Sequence, residues 1–224
     1  AIMADGPGTA DAPWSDVLMG GERMAPPDPQ HGPRWFTGTR LNFAEHLLRR
    51  RDAGTAIVSW NEHGAQQRIS FTELAAQVAA TAAALSAAGV GVGDRVVGYL
   101  PNLPQAVVAM LAATSLGAMW SSCSPDFGTK GVLDRFGQIA PKVIIAADGY
   151  WYGGKQIDCL ERLREIAASL PSLAAVWVVP YVHATPALTR IPGAVTFTDV
   201  PAGQRSHSEP PRRCENLPAS HATH

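Results

Sequence analysis

Lysine is scarce in this sequence. Only Lys130, Lys142 and Lys155 occur, and none follows position 155. Arginine supplies the other basic charge, so 18 Lys+Arg stand against 19 Asp+Glu and the formal net charge is −1. A nucleic-acid surface needs a basic stripe, and this balance argues against one. Cysteine is scarce too. Cys123, Cys159 and Cys214 are too few and too scattered for a disulfide framework or a zinc site, which points to a reducing, cytoplasmic setting. No apolar run approaches the ~20 residues of a membrane span. The first fourteen residues lack the basic-then-apolar order of a signal peptide. What remains is 224 residues with 46% hydrophobic side chains, enough for one α/β-sized domain with a real core.

Residues 1–34 are punctuated by Pro13, Pro26, Pro27, Pro29 and Pro33 and read as an extended segment. Within it, Val17-Leu-Met19 followed by Gly20-Gly21 suggests a short hairpin. Asn42 suits the cap of a helix over 43–51. Residues 55–60 and 67–70 read as two strands around a turn at 61–64. Ser70-Phe-Thr-Glu73 is a capping box, in which serine and glutamate satisfy each other's backbone donors. The helix it opens stops at Gly89.

From there helices and short apolar strands alternate. Strands are expected at 96–100, 118–121, 143–147 and 175–179, and helices at 105–116, 131–139 (capped by Thr129) and 157–169. This order predicts right-handed βαβ units: an α/β fold with a doubly wound, mostly parallel sheet and helices on both faces. The last segment, 201–224, has one large aliphatic residue, Leu217, and reads as a disordered tail. Its His207, His221 and His224 are irregularly spaced and read as solvated chain. The expected organisation is therefore 1–34, an α/β domain over 35–200, and the tail.

Three segments invite chemistry. Gly89-Val-Gly-Val-Gly93 imitates a dinucleotide loop but lies between a helix and a strand, the reverse of the order that brings phosphate to a helix N-terminus. It reads as a tight turn. Gly149-Tyr-Trp-Tyr-Gly-Gly-Lys155 matches G-x-x-x-x-G-K between an expected strand and helix. Gln156 stands where the magnesium-binding hydroxyl of a phosphate loop belongs, and aromatics fill positions where small residues wrap phosphate. A phosphate-loop nucleotide hydrolase is the weakest reading, behind a loop touching a ligand phosphate and a plain turn starting a helix. Trp120-Ser-Ser-Cys-Ser-Pro-Asp-Phe-Gly128 lies at the C-terminal end of an expected strand, where open α/β sheets bind ligands. Cys123 has no histidine between His63 and His183 to serve as a local base, and reads as a buried, inert thiol. Asp126, Asp134, Asp148 and Asp158 show no metal-cluster spacing.

These strings carry a resemblance. Arg34-Trp-Phe-Thr-Gly-Thr-Arg-Leu-Asn-Phe-Ala-Glu45, Gly93-Asp-Arg-Val96, Pro101-Asn-Leu-Pro104, the Trp120–Gly128 string, Val132-Leu-Asp-Arg-Phe-Gly-Gln-Ile139 and Asp148–Lys155 together resemble the acetoacetate–CoA ligases. These are a branch of the AMP-forming acyl-CoA synthetase superfamily. The resemblance covers roughly 14–200 and implies an incomplete N-terminal α/β domain of a longer chain. It implies a ligase of lipid and ketone-body metabolism that uses ATP, Mg2+ and CoA, with acetoacetate and CoA as small-molecule substrates. It places Ser124, Pro125, Asp126, Phe127, Gly128 and Lys155 near CoA, with Lys155 offering a point charge to a CoA phosphate. It assigns no catalytic residue to this chain, because the ATP loop and the adenylation lysine of the family are absent. Tyr152 departs from a basic residue found in a related branch.

The abrupt change after Glu209-Pro-Pro211 is where a frameshift or truncated gene is expected. Two further expectations follow. The chain is inactive alone as a ligase fragment, or else it persists as a non-catalytic α/β module that binds CoA-like ligands or a partner protein. An open sheet edge would also make it low-melting or prone to aggregate.

Overall fold

The computed structural model describes residues 14–22 and 32–200, so the expected tail over 201–224 lies outside the described residues. The chain divides into two compact units after Leu47.

In the first unit, β1 (Asp16–Met19) is a strand where the sequence suggests one, but its partner is not local. It pairs antiparallel with β2 (Arg34–Thr37), with Leu18 opposite Trp35. Gly20 turns the chain at φ +69°, yet Gly20-Gly21 does not close a two-residue hairpin. Trp14 packs edge-on to Phe36 at 5.6 Å between ring centroids. The Asn42 carboxamide caps α1 (Phe43–Leu47), accepting from the Ala44 and Glu45 N–H groups at 2.9 and 3.2 Å. This helix is shorter than the expected 43–51. Further on, the Asp52 carboxylate accepts from the Gly54 N–H at 2.7 Å and from the Arg50 guanidinium at 2.9 Å, a local turn in place of the last expected helical residues.

The second unit opens with a hairpin, β3 (Thr55–Asn61) against β4 (Gly64–Ser70). The capping box then starts α2 (Phe71–Ala87). The Ser70 hydroxyl accepts from the Glu73 N–H at 3.2 Å, and the Glu73 carboxylate accepts from the Ser70 N–H at 2.7 Å. Gly89 at φ +80° ends it. Next come β5 (Arg95–Tyr99), α3 (Pro104–Ser115), β6 (Met119–Cys123), α4 (Thr129–Phe136) and β7 (Val143–Ala147). A second hairpin, β8 (Gly149–Tyr152) with β9 (Lys155–Asp158), precedes α5 (Leu160–Ala168), β10 (Ala175–Val179) and β11 (Ala194–Thr196).

Five strands form one parallel sheet in the order β11-β10-β7-β5-β6. The doubly wound expectation is met. One face carries Val97, Tyr99, Ile144, Ala146 and Val178, buried under Val132 and Phe136 of α4 and Leu163 and Ile166 of α5. The period-2 alternation of strands sends Val96, Ile145 and Trp177 to the other face. There α2 and α3 pack, and a cavity of about 400 Å³ remains between them and Trp177. Gly98 leaves room for a neighbour, since a Cβ there would come within 2.6 Å of the Trp120 ring.

Two expectations about α4 and α5 are corrected. Thr129 is not the cap of α4. Gly128 is, and the Thr129 hydroxyl instead donates to Glu165 at 2.8 Å. The helix expected from 157 starts at Leu160, because Ile157 belongs to β9. Among the described residues no helix is long and apolar enough to cross a membrane.

Candidate functional site

The chain order β5, β6, β7 with the spatial order β7-β5-β6 makes a topological switch beside β5. Ligands of open α/β sheets bind at the strand C-termini near such a point. The loop Ser124–Gly128 leaves β6 there. Its backbone is held from below by Tyr99, the last residue of β5, whose side chain is fully buried. The phenol hydroxyl lies 2.9 Å from the Pro125 carbonyl and 2.8 Å from the Phe127 carbonyl. Burial pushes the phenol above its ordinary pKa, so it stays a donor. The Arg162 guanidinium donates to the same Pro125 carbonyl at 3.0 Å. The Phe127 N–H closes a turn onto the Ser124 carbonyl at 3.2 Å, and the Arg135 guanidinium sits 4.3 Å above the Phe127 ring. The result is a stiff loop with Pro125 buried, Phe127 half-buried, and Ser124, Asp126 and Gly128 facing outward.

Cys123 and Cys159 are buried beneath this loop. Burial pushes each thiol up to about 11, so both are protonated and unreactive at neutral pH, as expected of Cys123.

The 149–155 segment is neither a phosphate loop nor the start of a helix. It is a β-hairpin whose tip is Gly153-Gly154, at φ +58° and +73°. Lys155 stands beside the tip, exposed, opposite Tyr152. The two glycine N–H groups that resemble a phosphate grip are already filled. The Glu62 carboxylate, from the turn between β3 and β4, accepts from Gly153 at 2.6 Å and from Gly154 at 2.8 Å. His63 and Trp151 meet edge-on at 5.5 Å beside this clasp. Together the two hairpins wall a groove of about 550 Å³ that reaches Gln105 and Tyr181.

At the foot of the hairpin, Asp148 is fully buried. Its carboxylate accepts from the N–H groups of Tyr181, Val182 and His183 at 2.8, 3.0 and 2.9 Å, and faces His183 Nδ1 at 3.2 Å. The Cys159 N–H donates to the Asp148 carbonyl at 2.8 Å. Gly149 beside it is required, because a Cβ would collide with the Ile157 carbonyl. Among the described residues no group of His, Cys, Asp or Glu could hold a metal ion. The glycines of 89–93 form the expected tight turn, with the Gly91 N–H donating to Asp94 at 2.8 Å.

Of the six residues read from the sequence, the structure gathers 124–128 into one braced loop. Lys155 sits at the far end of a four-residue strand from Asp158, roughly 10 Å away at the rise of a β-strand. Tyr99, Arg162, Asp148 and Glu62 carry the site's architecture, and sequence reasoning did not select them. Asp148 had a usable signal, an acid directly after five apolar strand residues. Glu62 had none, because its partners lie 91 and 92 residues away.

The AMP-binding enzyme family matches residues 43–211. The acetoacetyl-coenzyme A synthetase of Rhizobium meliloti (strain 1021) is 45% identical over 206 residues, 92% of this chain and 30% of that protein. The acetoacetyl-CoA synthetase of Macaca fascicularis is 46% identical over 193 residues, 84% of this chain and 29% of that one. A malonamoyl-CoA synthetase of Penicillium aethiopicum is 39% identical over 66% of this chain and 21% of its own length. The solved acetoacetyl-CoA synthetase of Streptomyces lividans superposes with a TM-score of 0.74 at 40% identity, covering 93% of this chain and 30% of that structure. This chain thus spans about 30% of the length of such relatives. With the family matched over most of its length and the fold shared with a solved relative, the chain belongs to the AMP-binding enzymes.

Proposed function

We propose that this chain supplies CoA-binding structure to an acetoacetate–CoA ligase. The observation that carries the proposal is the 45% identity to acetoacetyl-coenzyme A synthetase across 92% of the chain. In the proposed reaction an acetoacetate oxygen attacks the α-phosphorus of ATP and pyrophosphate leaves. The CoA sulfur then attacks the acyl carbonyl and AMP leaves, giving acetoacetyl-CoA. Mg2+ would neutralise charge on the phosphates of ATP; among the described residues no group of three or more His, Cys, Asp or Glu could hold a metal ion.

This chain's own share is binding and orientation. Lys142 is unavailable, since its ammonium donates to the Gly89 carbonyl at 2.7 Å and pairs with Asp94 at 2.9 Å. Lys155 is exposed on a rigid hairpin and can meet a CoA phosphate as a point charge. The loop Ser124–Gly128 offers a surface of fixed shape at the strand ends, which orients a ligand without a reorganisation cost. No nucleic acid or lipid surface enters the proposal.

Calorimetric titration of CoA into the chain tests it. Saturable binding is expected, weakened about tenfold in Lys155→Ala, the size of one charge-assisted contact. Wild-type affinity in that variant would remove Lys155 from the site. Absence of any CoA binding would overturn the proposal.

A further inference from the structure

We infer that Arg162 is a positioning residue for CoA. It locks the loop Ser124–Gly128 to the foot of the hairpin that carries Lys155, so that the two parts of the candidate site keep one spacing. The inference rests on the CoA reading above, and it concerns a residue that touches no ligand.

The geometry is that of a bracket. Arg162 lies in the first turn of α5, half-buried under the loop. One arm of its fork donates to the Pro125 carbonyl at 3.0 Å. The other lies 3.4 Å from the Asp158 carbonyl and 3.5 Å from Cys159 Sγ, where β9 ends. A planar, always-charged guanidinium can serve two backbone sites at once in a fixed relation. Tyr99 completes the bracket from the sheet side. Its single hydroxyl proton is shared between the Pro125 and Phe127 carbonyls, and Arg162 brings Pro125 the additional donor that one hydroxyl cannot supply. The two held residues, Pro125 and Phe127, alternate with the three outward ones, Ser124, Asp126 and Gly128. Anchoring the first pair therefore sets where the outward three point. Arg162 itself is occupied by the Pro125 and Asp158 carbonyls, Cys159 Sγ and the Tyr150 side chain, which separates it from the exposed Lys155.

The test uses the full chain with Arg162→Ala, Arg162→Lys and Tyr99→Phe. CoA titration, thermal melting and hydrogen exchange read by mass spectrometry are run on each. Arg162→Ala is expected to raise the CoA Kd about tenfold. Amide exchange should accelerate together in 124–128 and 149–158, with α2 and α3 unchanged. Arg162→Lys keeps the charge and the length but not the planar fork, and should recover little of the affinity, whereas a purely bulk-packing role would predict recovery. Should Arg162→Ala fold poorly, Tyr99→Phe removes only the hydroxyl and should loosen 124–128 selectively.

Wild-type affinity and exchange in both Arg162→Ala and Tyr99→Phe would overturn the inference. Exchange that rises equally in β7 would also overturn it, by showing general destabilisation. If the wild-type chain binds no CoA, the functional reading fails. The exchange data then decide separately whether Arg162 ties the two segments.

Discussion

Single side chains here are fixed by what they neutralise. Asp94 joins the Gly91 N–H and the Lys142 ammonium, and the Lys142 hydrogen bond holds its carboxyl below the usual aspartate range, with Gly91 adding to it. A depressed native pKa contributes stability above the unfolded value, and that contribution is lost as pH falls through the native one. Asp94→Asn should therefore lower stability at pH 7 by on the order of 0.5 kcal/mol, as for a partly exposed pair. The gap between variant and parent should close below about pH 4, as urea titrations at several pH values would show. The two buried thiols make a second prediction at this scale. With Cys123 and Cys159 raised to about 11, iodoacetamide at pH 8 should modify their peptides roughly a hundredfold more slowly than an unperturbed cysteine. Prior unfolding in urea should abolish the protection.

At the scale of elements, local chemistry decides the helix starts and distant chemistry decides the hairpins. The Ser70–Glu73 box is self-contained, so it is legible in four residues and the structure reproduces it. Ser70→Ala should cost about 1 kcal/mol, seen as a lower thermal midpoint by circular dichroism, because α2 loses a capped donor. The β8–β9 hairpin is the opposite case. Its glycines permit the turn, but Glu62 fixes its tip from the far side of the sequence. Glu62→Ala should speed exchange of the Gly153 and Gly154 amides about tenfold while leaving β7 protected, since one charge-assisted pair of bonds is lost. The same division explains what the sequence concealed. A G-x-x-x-x-G-K string sets backbone freedom, and whether it grips phosphate or folds into a hairpin depends on Glu62, which no local window contains. Strand β1 was visible, and its partner β2 was not, because pairing between segments this far apart in the sequence leaves no periodic trace.

At the scale of the molecule, the parallel sheet was the most legible feature. Runs such as Val143–Ala147, buried on both faces, are apolar without alternation, and that composition belongs to a covered parallel strand. The site was legible only in part. Residues 124–128 stand out as a small, polar loop at a strand end and Lys155 in a G-x-x-x-x-G-K string, and only the family resemblance points them toward CoA, whereas the bracket beneath them leaves no sequence pattern. The sheet's two margins carry the last prediction. Among the described residues, β6 and β11 have a strand on one side only, and Met119 and Val195 are 53% and 40% exposed there. Open margins template pairing with other chains. Met119→Lys with Val195→Lys should reduce self-association measured by light scattering at matched concentration.

The glycine tip of the second hairpin has one more implication. Two backbone amides turned to the same side collect oxyanions. Glu62 makes this chain its own counterion, tethered at an effective concentration of roughly millimolar or higher. Any free phosphate reaching the tip must displace a ligand that never diffuses away. Pattern scans will count such turns as nucleotide grips wherever the resident acid is encoded elsewhere in the chain.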